Sequence, residues 1–143
     1  MPSFINIYMR LIKHINDTDQ YISEKVTQSQ LDNLERVLDR LYKSLSIDIE
    51  FSRHFLARVN DKRNKKDITI PELKQLFSKT YSRYGTQFKD YGDGMQAVLN
   101  DIQTDINIPF VLRWNPKSKM IELVSKTVMR KKGFQTSSPK LPV

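Results

Sequence analysis

Cysteine is absent from the 143 residues of this chain. That excludes disulfides, thiolate zinc sites and cysteine nucleophiles, and it fits a reducing compartment. Histidine is nearly as scarce. The only two, His14 and His54, lie far apart in sequence and are too few for a dedicated zinc or copper centre. With four glycines there is no Walker-type loop to cradle a phosphate, and no nucleophile elbow of a serine hydrolase is present. No apolar run reaches the roughly 18 residues that would cross a membrane. The N-terminal stretch "MPSFINIYMRLIKH" lacks the basic start and small-residue cleavage site of a signal peptide.

What is there supports a folded protein. Hydrophobic residues make up 38% of the chain, with seven Phe, six Tyr and one Trp, enough for one domain with a core of its own. The net charge of +8 is unevenly spread: residues 53–66 carry +5 and residues 113–143 carry +7, whereas 1–52 and 67–112 carry −2 each. If the two basic stretches meet in space they form a patch suited to a polyanion.

Apolar groups at Phe4, Ile7, Tyr8, Leu11, Ile12 and Ile15 predict a helix over 4–15. A second helix is expected over 18–45, with the seam Leu31, Leu34, Leu38, Leu41, Leu45. The seam is too short for a coiled coil, so it packs on the rest of the chain or pairs with a second copy. Ile47, Ile49 and Phe51 alternate with polar residues, which predicts a half-buried strand. Ser52 reads as the cap of a helix over 53–60. Thr69-Ile70-Pro71-Glu72 reads as a capping box opening a helix to Tyr84, with Gly85 as terminator. Strands are expected at 97–102, 108–114 and 120–130, the last two joined by the turn "NPKSK". This predicts an α+β protein: two N-terminal helices over 1–46, a β-α-α-β-β-β domain with a small antiparallel sheet over 47–134, and a flexible tail over 135–143.

The chemistry this composition permits is phosphate chemistry. RNA can be cut without metal when a base takes the 2′-OH proton, cations stabilise the phosphorane and an acid protonates the leaving 5′-oxygen. His54 suits either proton role. Arg58, four residues on, shares its helix face. Asp101 and Asp105 read as turn residues rather than magnesium ligands, so neither a metal nor a cofactor is expected. In the last strand, simple alternation puts Lys126, Val128 and Arg130 on one face and Thr127 and Met129 on the other. Both faces carry apolar groups, so the pattern does not assign one to the core. Trp114 and Tyr91 are candidates for stacking on bases.

"HFLAR" followed by "LKQLFSK" resembles the helical part of the phage RegB-type endoribonucleases, whose pattern is His-x-Leu-x-Arg and then Leu-Phe-His-Lys. That group belongs to the wider RelE-like (barnase–EndoU–colicin–RelE-like) nucleases. The resemblance spans about residues 47–132. It implies metal-independent RNA cleavage, with His54 and Arg58 on an active-site helix and Thr127, Arg130 and Lys126 completing the site from the final strand. Ser78 stands where that family has a second histidine. The expected function is therefore an endoribonuclease of phage or toxin type, with a catalytically silent RNA- or protein-binding module as the alternative. Lys62, Arg63, Lys65, Lys66, Lys131 and Lys132 are the expected RNA contacts. The expected partners are RNA, an antitoxin or other protein, and a second copy docked through the N-terminal helices, with no membrane. The expected location is the cytoplasm, that of the host if the chain is phage-encoded.

Overall fold

The computed structural model describes residues 25–143. The helix expected over 4–15 and the first part of the one expected over 18–45 lie outside them.

Helix α1 spans Gln28–Tyr42 and opens with a capping box. The Thr27 hydroxyl accepts from the Gln30 N–H at 3.1 Å, and the Gln30 carboxamide accepts from the Thr27 N–H at 3.0 Å. Two N–H groups that the first turn cannot satisfy internally are thereby paired. The buried stripe is Leu31, Leu34, Leu38 and Tyr42, with Leu41 and Leu45 only partly covered. Tyr42 replaces Leu41 because a straight helix drifts from a 3.5-residue seam towards 3.6. Its hydroxyl donates to the Phe77 carbonyl at 2.6 Å, tying α1 to a second helix. Leu31, Leu34 and Leu38 of the seam are buried within the chain, while Leu41 and Leu45 keep part of their surface exposed.

Strand β1 is Ile47–Phe51, followed by the short helix α2 at Phe55–Val59 and by α3 at Ile70–Tyr84. Ser52 does not cap α2: its hydroxyl donates to the Lys126 carbonyl at 2.7 Å, and His54 takes the N-cap position without a side-chain cap. The capping box of α3 forms as expected, Thr69 with Glu72. Gly85 ends α3 but keeps a right-handed φ and leads into a 3₁₀ turn over Gly85–Asp90. A Cβ there would sit 2.8 Å from Leu45 Cδ1, so the tip of that side chain would have to shift to admit one.

Strands β2 (Gln96–Asn100), β3 (Ile106–Asn115) and β4 (Met120–Ser125) follow, then two short strands, β5 (Met129–Arg130) and β6 (Lys140–Pro142). The sheet order is β1-β4-β3-β2-β6, with β5 also on β3. Strand β3 pairs antiparallel with β2, β4 and β5, while β1 runs parallel to β4 and β6 parallel to β2. The sheet is thus mostly antiparallel, but larger than expected at six strands and mixed at both edges. Ile47, Ile49, Leu99, Phe110, Leu112 and Leu123 are buried in one core with α1, α2 and α3. The alternate positions Asp48, Glu50, Val111, Glu122 and Val124 are half-buried.

Two expectations are corrected. The strand expected over 120–130 is interrupted. Phe110 pairs with Ser125 and Asn107 with Met129, so three steps on β3 face four on the other strand. The extra residue is a bulge, placed where Pro109 has no N–H to give; its carbonyl still accepts from the Lys126 N–H at 2.9 Å. Simple alternation therefore fails beyond Ser125: Lys126 is exposed and Val128 is buried. The tail, expected to be flexible, supplies β6. Pro139 and Asn100 carbonyls accept from Val98 and Val143, Tyr84 donates to the Pro142 carbonyl at 2.6 Å, and Val143 is buried. The open edge of β2 offered unpaired backbone groups. "KLPV" satisfies them, with its proline where an edge strand tolerates one.

Candidate nucleic-acid interface

The two basic stretches meet. A groove of about 610 Å³ lies between the 3₁₀ turn Lys62–Asn64 and β5. It is lined by Arg63, Asn64, Lys65, Lys66, Asp105, Met129, Arg130, Lys131 and Lys132. Lys62 is exposed at the start of the turn, outside the lining.

Asp61 starts one wall. Its Oδ1 accepts from the Arg63 N–H at 2.9 Å and caps the turn. Its Oδ2 accepts from Arg63 Nε and Nη2 at 3.2 and 3.1 Å, and Arg58 Nη1 lies 3.6 Å away. The Arg63 N–H, then its guanidinium, and finally the charge of Arg58 hold this carboxyl below the usual range. Beyond the turn, Lys65 has φ +61° and ψ −51°, with the Lys66 N–H donating to the Asn64 carbonyl. This is a γ-turn of the strained, positive-φ kind, costing about 1–3 kcal/mol for a residue with a side chain. It turns Lys65 and Lys66 towards the groove.

Buried Asn64 holds that turn. Its Nδ2 donates to the Arg58 and Val59 carbonyls at 2.9 and 3.1 Å, and its Oδ1 accepts from the Arg130 N–H at 3.0 Å. Buried Asn107 braces the other wall, donating to the carbonyls of Asp105, Met129 and Lys131. Arg130 lies at the floor with its side chain 11% exposed. Its guanidinium donates to the carbonyls of Lys66, Asp67 and Thr104 and, at 2.7 Å, to Glu72. Burial would raise the Glu72 carboxyl, but the bonds from Arg130 and Thr69 outweigh it and hold the group below its ordinary value. Arg130 is therefore a structural clamp, not the free phosphate contact expected of it.

The other expected catalytic residues lie elsewhere. His54 is exposed, and its Nε2 accepts from Arg53 Nε at 3.4 Å. The Arg58 N–H donates to the His54 carbonyl at 3.1 Å, so the pair does share one helical turn, but the Arg58 guanidinium turns to Asp61. Lys126 is exposed with Nζ on Gln96 Oε1 at 3.0 Å, and Thr127 is half-buried in the bulge. Ser52 joins these groups: its N–H donates to the Ser125 carbonyl and its hydroxyl to that of Lys126, holding the start of α2 against the end of β4. Ser78 points its hydroxyl back to the Lys74 carbonyl. Asp101 is buried on Lys79 Nζ at 2.9 Å, and Asp105 lines the groove.

Sequence reasoning missed three features. Asn64 and Asn107 serve as buried braces, and an asparagine inside the apolar run "INIPF" was the available signal. Asp61 neutralises two arginines; it is the only acid in the +5 stretch. Asp48, Glu50 and Glu122 bring carboxylate oxygens within 4.8 Å of one another and could hold a cation. Only the parallel pairing of β1 with β4 creates that third group, setting Asp48 opposite Glu122. Burial, then Asp48, pushes Glu50 up to about 7; burial and Asp48 do the same to neighbouring Asp39, against the Ile49 N–H it accepts at 2.7 Å.

Fold and site together define an α+β protein with a groove lined by cations from two distant stretches of chain. No family model, curated protein or solved structure matches it. Among the described residues, no helix is long and apolar enough to cross a membrane.

Proposed function

We propose that this protein binds RNA by its phosphates. The observation that carries the reading is the convergence of Arg63, Lys65, Lys66, Lys131 and Lys132 on one groove. Phosphate contacts of this kind position a strand without reading its sequence. RNA rather than another polyanion is suggested by the resemblance of "HFLAR" and "LKQLFSK" to the RegB-type endoribonucleases.

The test is the salt dependence of binding to a single-stranded RNA. With Arg63 held by Asp61, the four lysines each releasing a counterion predict a slope of log affinity on log salt of about −2.8, or roughly 50-fold weaker binding for a fourfold rise in salt. A slope near zero refutes the reading.

Cleavage is a second reading, favoured by the Ser52 bridge that sets the His54 end of α2 beside Lys126. His54 would then move the proton while Lys126 meets the phosphate charge, with Thr127 nearby and Arg58 joining only if it leaves Asp61. Incubating the protein with total RNA in EDTA tests it. Discrete cuts are expected, slowed about 10²–10⁴-fold by His54→Ala. Intact RNA leaves a binder.

A further inference from the structure

Trp114, the only tryptophan in the chain, sits at the opposite end of β3 from the groove. It lies within a strand, yet it is 50% exposed, one of the few large apolar side chains left in water among the described residues. Its backbone is well anchored: the main-chain N–H donates to Asp93 Oδ1 at 2.9 Å, and the residue pairs with Ile121 across the hairpin. Concavities flank it on two sides. One, of about 360 Å³, is lined by Ser44, Ser46, Thr86 and Lys89; the other, of about 150 Å³, by Lys89, Tyr91, Asp93 and Arg113. The indole thus walls both, with Lys89 common to the two.

An exposed indole beside a hydroxyl-lined hollow and the Lys89 ammonium fits a flat aromatic ligand that carries negative charge. We propose that Trp114 is a stacking platform for one unpaired nucleobase of the strand whose phosphates occupy the Arg63–Lys66 and Lys131–Lys132 groove. Stacking on an aromatic face accepts any base, and Lys89 stands where an adjoining phosphate would pass, whereas Arg113 is paired with Glu122 at 3.3 Å. The inference rests on the RNA-binding reading. Ile106, which pairs with Arg130, and Trp114 are separated by eight steps along β3, about 27 Å at the rise of an extended strand. Only a strand long enough to span that distance touches both.

Because the tryptophan is unique, its fluorescence reports on the site directly. The full chain is titrated with oligo(U) of about twelve nucleotides, within the range single-strand binders cover, and with an abasic strand of equal length. Oligo(U) is expected to quench the fluorescence, whereas the abasic strand binds the groove without quenching. Trp114→Ala is expected to weaken oligo(U) binding about 5- to 150-fold, the usual worth of one stacked base, and to leave abasic binding unchanged. Trp114→Phe, which keeps a ring, retains most of the affinity. If oligo(U) binds wild type and Trp114→Ala equally, stacking is overturned while the groove stands. If neither strand binds at low salt, the groove reading falls and this inference with it.

Discussion

Replacing Asn64 by leucine tests the brace beneath the basic groove. The side chains are nearly equal in size, so the change removes polarity and little volume. Three hydrogen bonds are lost, to the carbonyls of Arg58 and Val59 and from the N–H of Arg130. The Arg58 carbonyl keeps the Asp61 N–H as a partner at 3.2 Å. The Val59 carbonyl and the Arg130 N–H lose what Asn64 provides. Each buried group left unpaired costs about 1–3 kcal/mol, so the expected loss is about 3 kcal/mol. That is a large share of the roughly 5–15 kcal/mol that holds a domain together, and corresponds to a fall in Tm of roughly 10 °C. The assay is thermal unfolding followed by circular dichroism, paired with RNA binding at a temperature where the variant is folded. Affinity should also fall, because the strained turn at Lys65 loses its anchor. Asn64→Asp separates the contributions: it keeps the acceptor for Arg130 but turns a carboxylate oxygen towards two carbonyls. A Tm for Asn64→Leu within about 2 °C of wild type, less than the 1 kcal/mol minimum for one orphaned group, would refute the reasoning.

Asp61→Asn keeps a cap for the Arg63 N–H but removes the charge shared by Arg58 and Arg63. RNA affinity is expected to rise and its salt slope to steepen, and unchanged binding in a filter assay would show that those arginines do not meet the strand. Stability should also depend on pH. Asp39 and Glu50 carry folded-state values raised to about 7; groups raised on folding favour the folded state below their unfolded values near 4 and lose that contribution as pH rises through 7. The unfolding free energy from urea titration is therefore expected to be higher at pH 5 than at pH 8, by about 1 kcal/mol after discounting for solvent screening, with a correspondingly higher midpoint. Asp39→Asn, which keeps an acceptor for Ile49, should flatten the profile, and a midpoint rising from pH 5 to pH 8 would contradict it. Ser125 is buried with a hydroxyl that has no partner among the described residues, so Ser125→Ala is expected to leave Tm unchanged or raise it by a few degrees.

Much of the local structure was legible in the sequence because it is set by neighbours along the chain. The strand Ile47–Phe51 follows from alternation, and the start of α3 follows from Thr69 and Glu72 three residues apart. The hairpin at "NPKSK" follows from its turn residues: the Asn115 carboxamide accepts from the Lys117 N–H at 3.0 Å. The uneven charge likewise marked both walls of the groove before their meeting was known.

Tertiary structure decided the rest, because those features depend on groups far apart in sequence. The bulge after Ser125 exists because Pro109 on the neighbouring strand cannot donate, so no alternation pattern within 120–130 could reveal it. Residues 140–142 are a strand because β2 has an open edge to fill. Arg130 reads as a free cation in "VMRKK", yet Lys66, Asp67, Glu72 and Thr104 surround it and use its donors. His54 and Arg58 are four apart, as a shared face requires, but Asp61 turns the guanidinium away. Spacing places two side chains on one turn of helix; which partner each then takes depends on the charges and backbone groups that folding brings within reach.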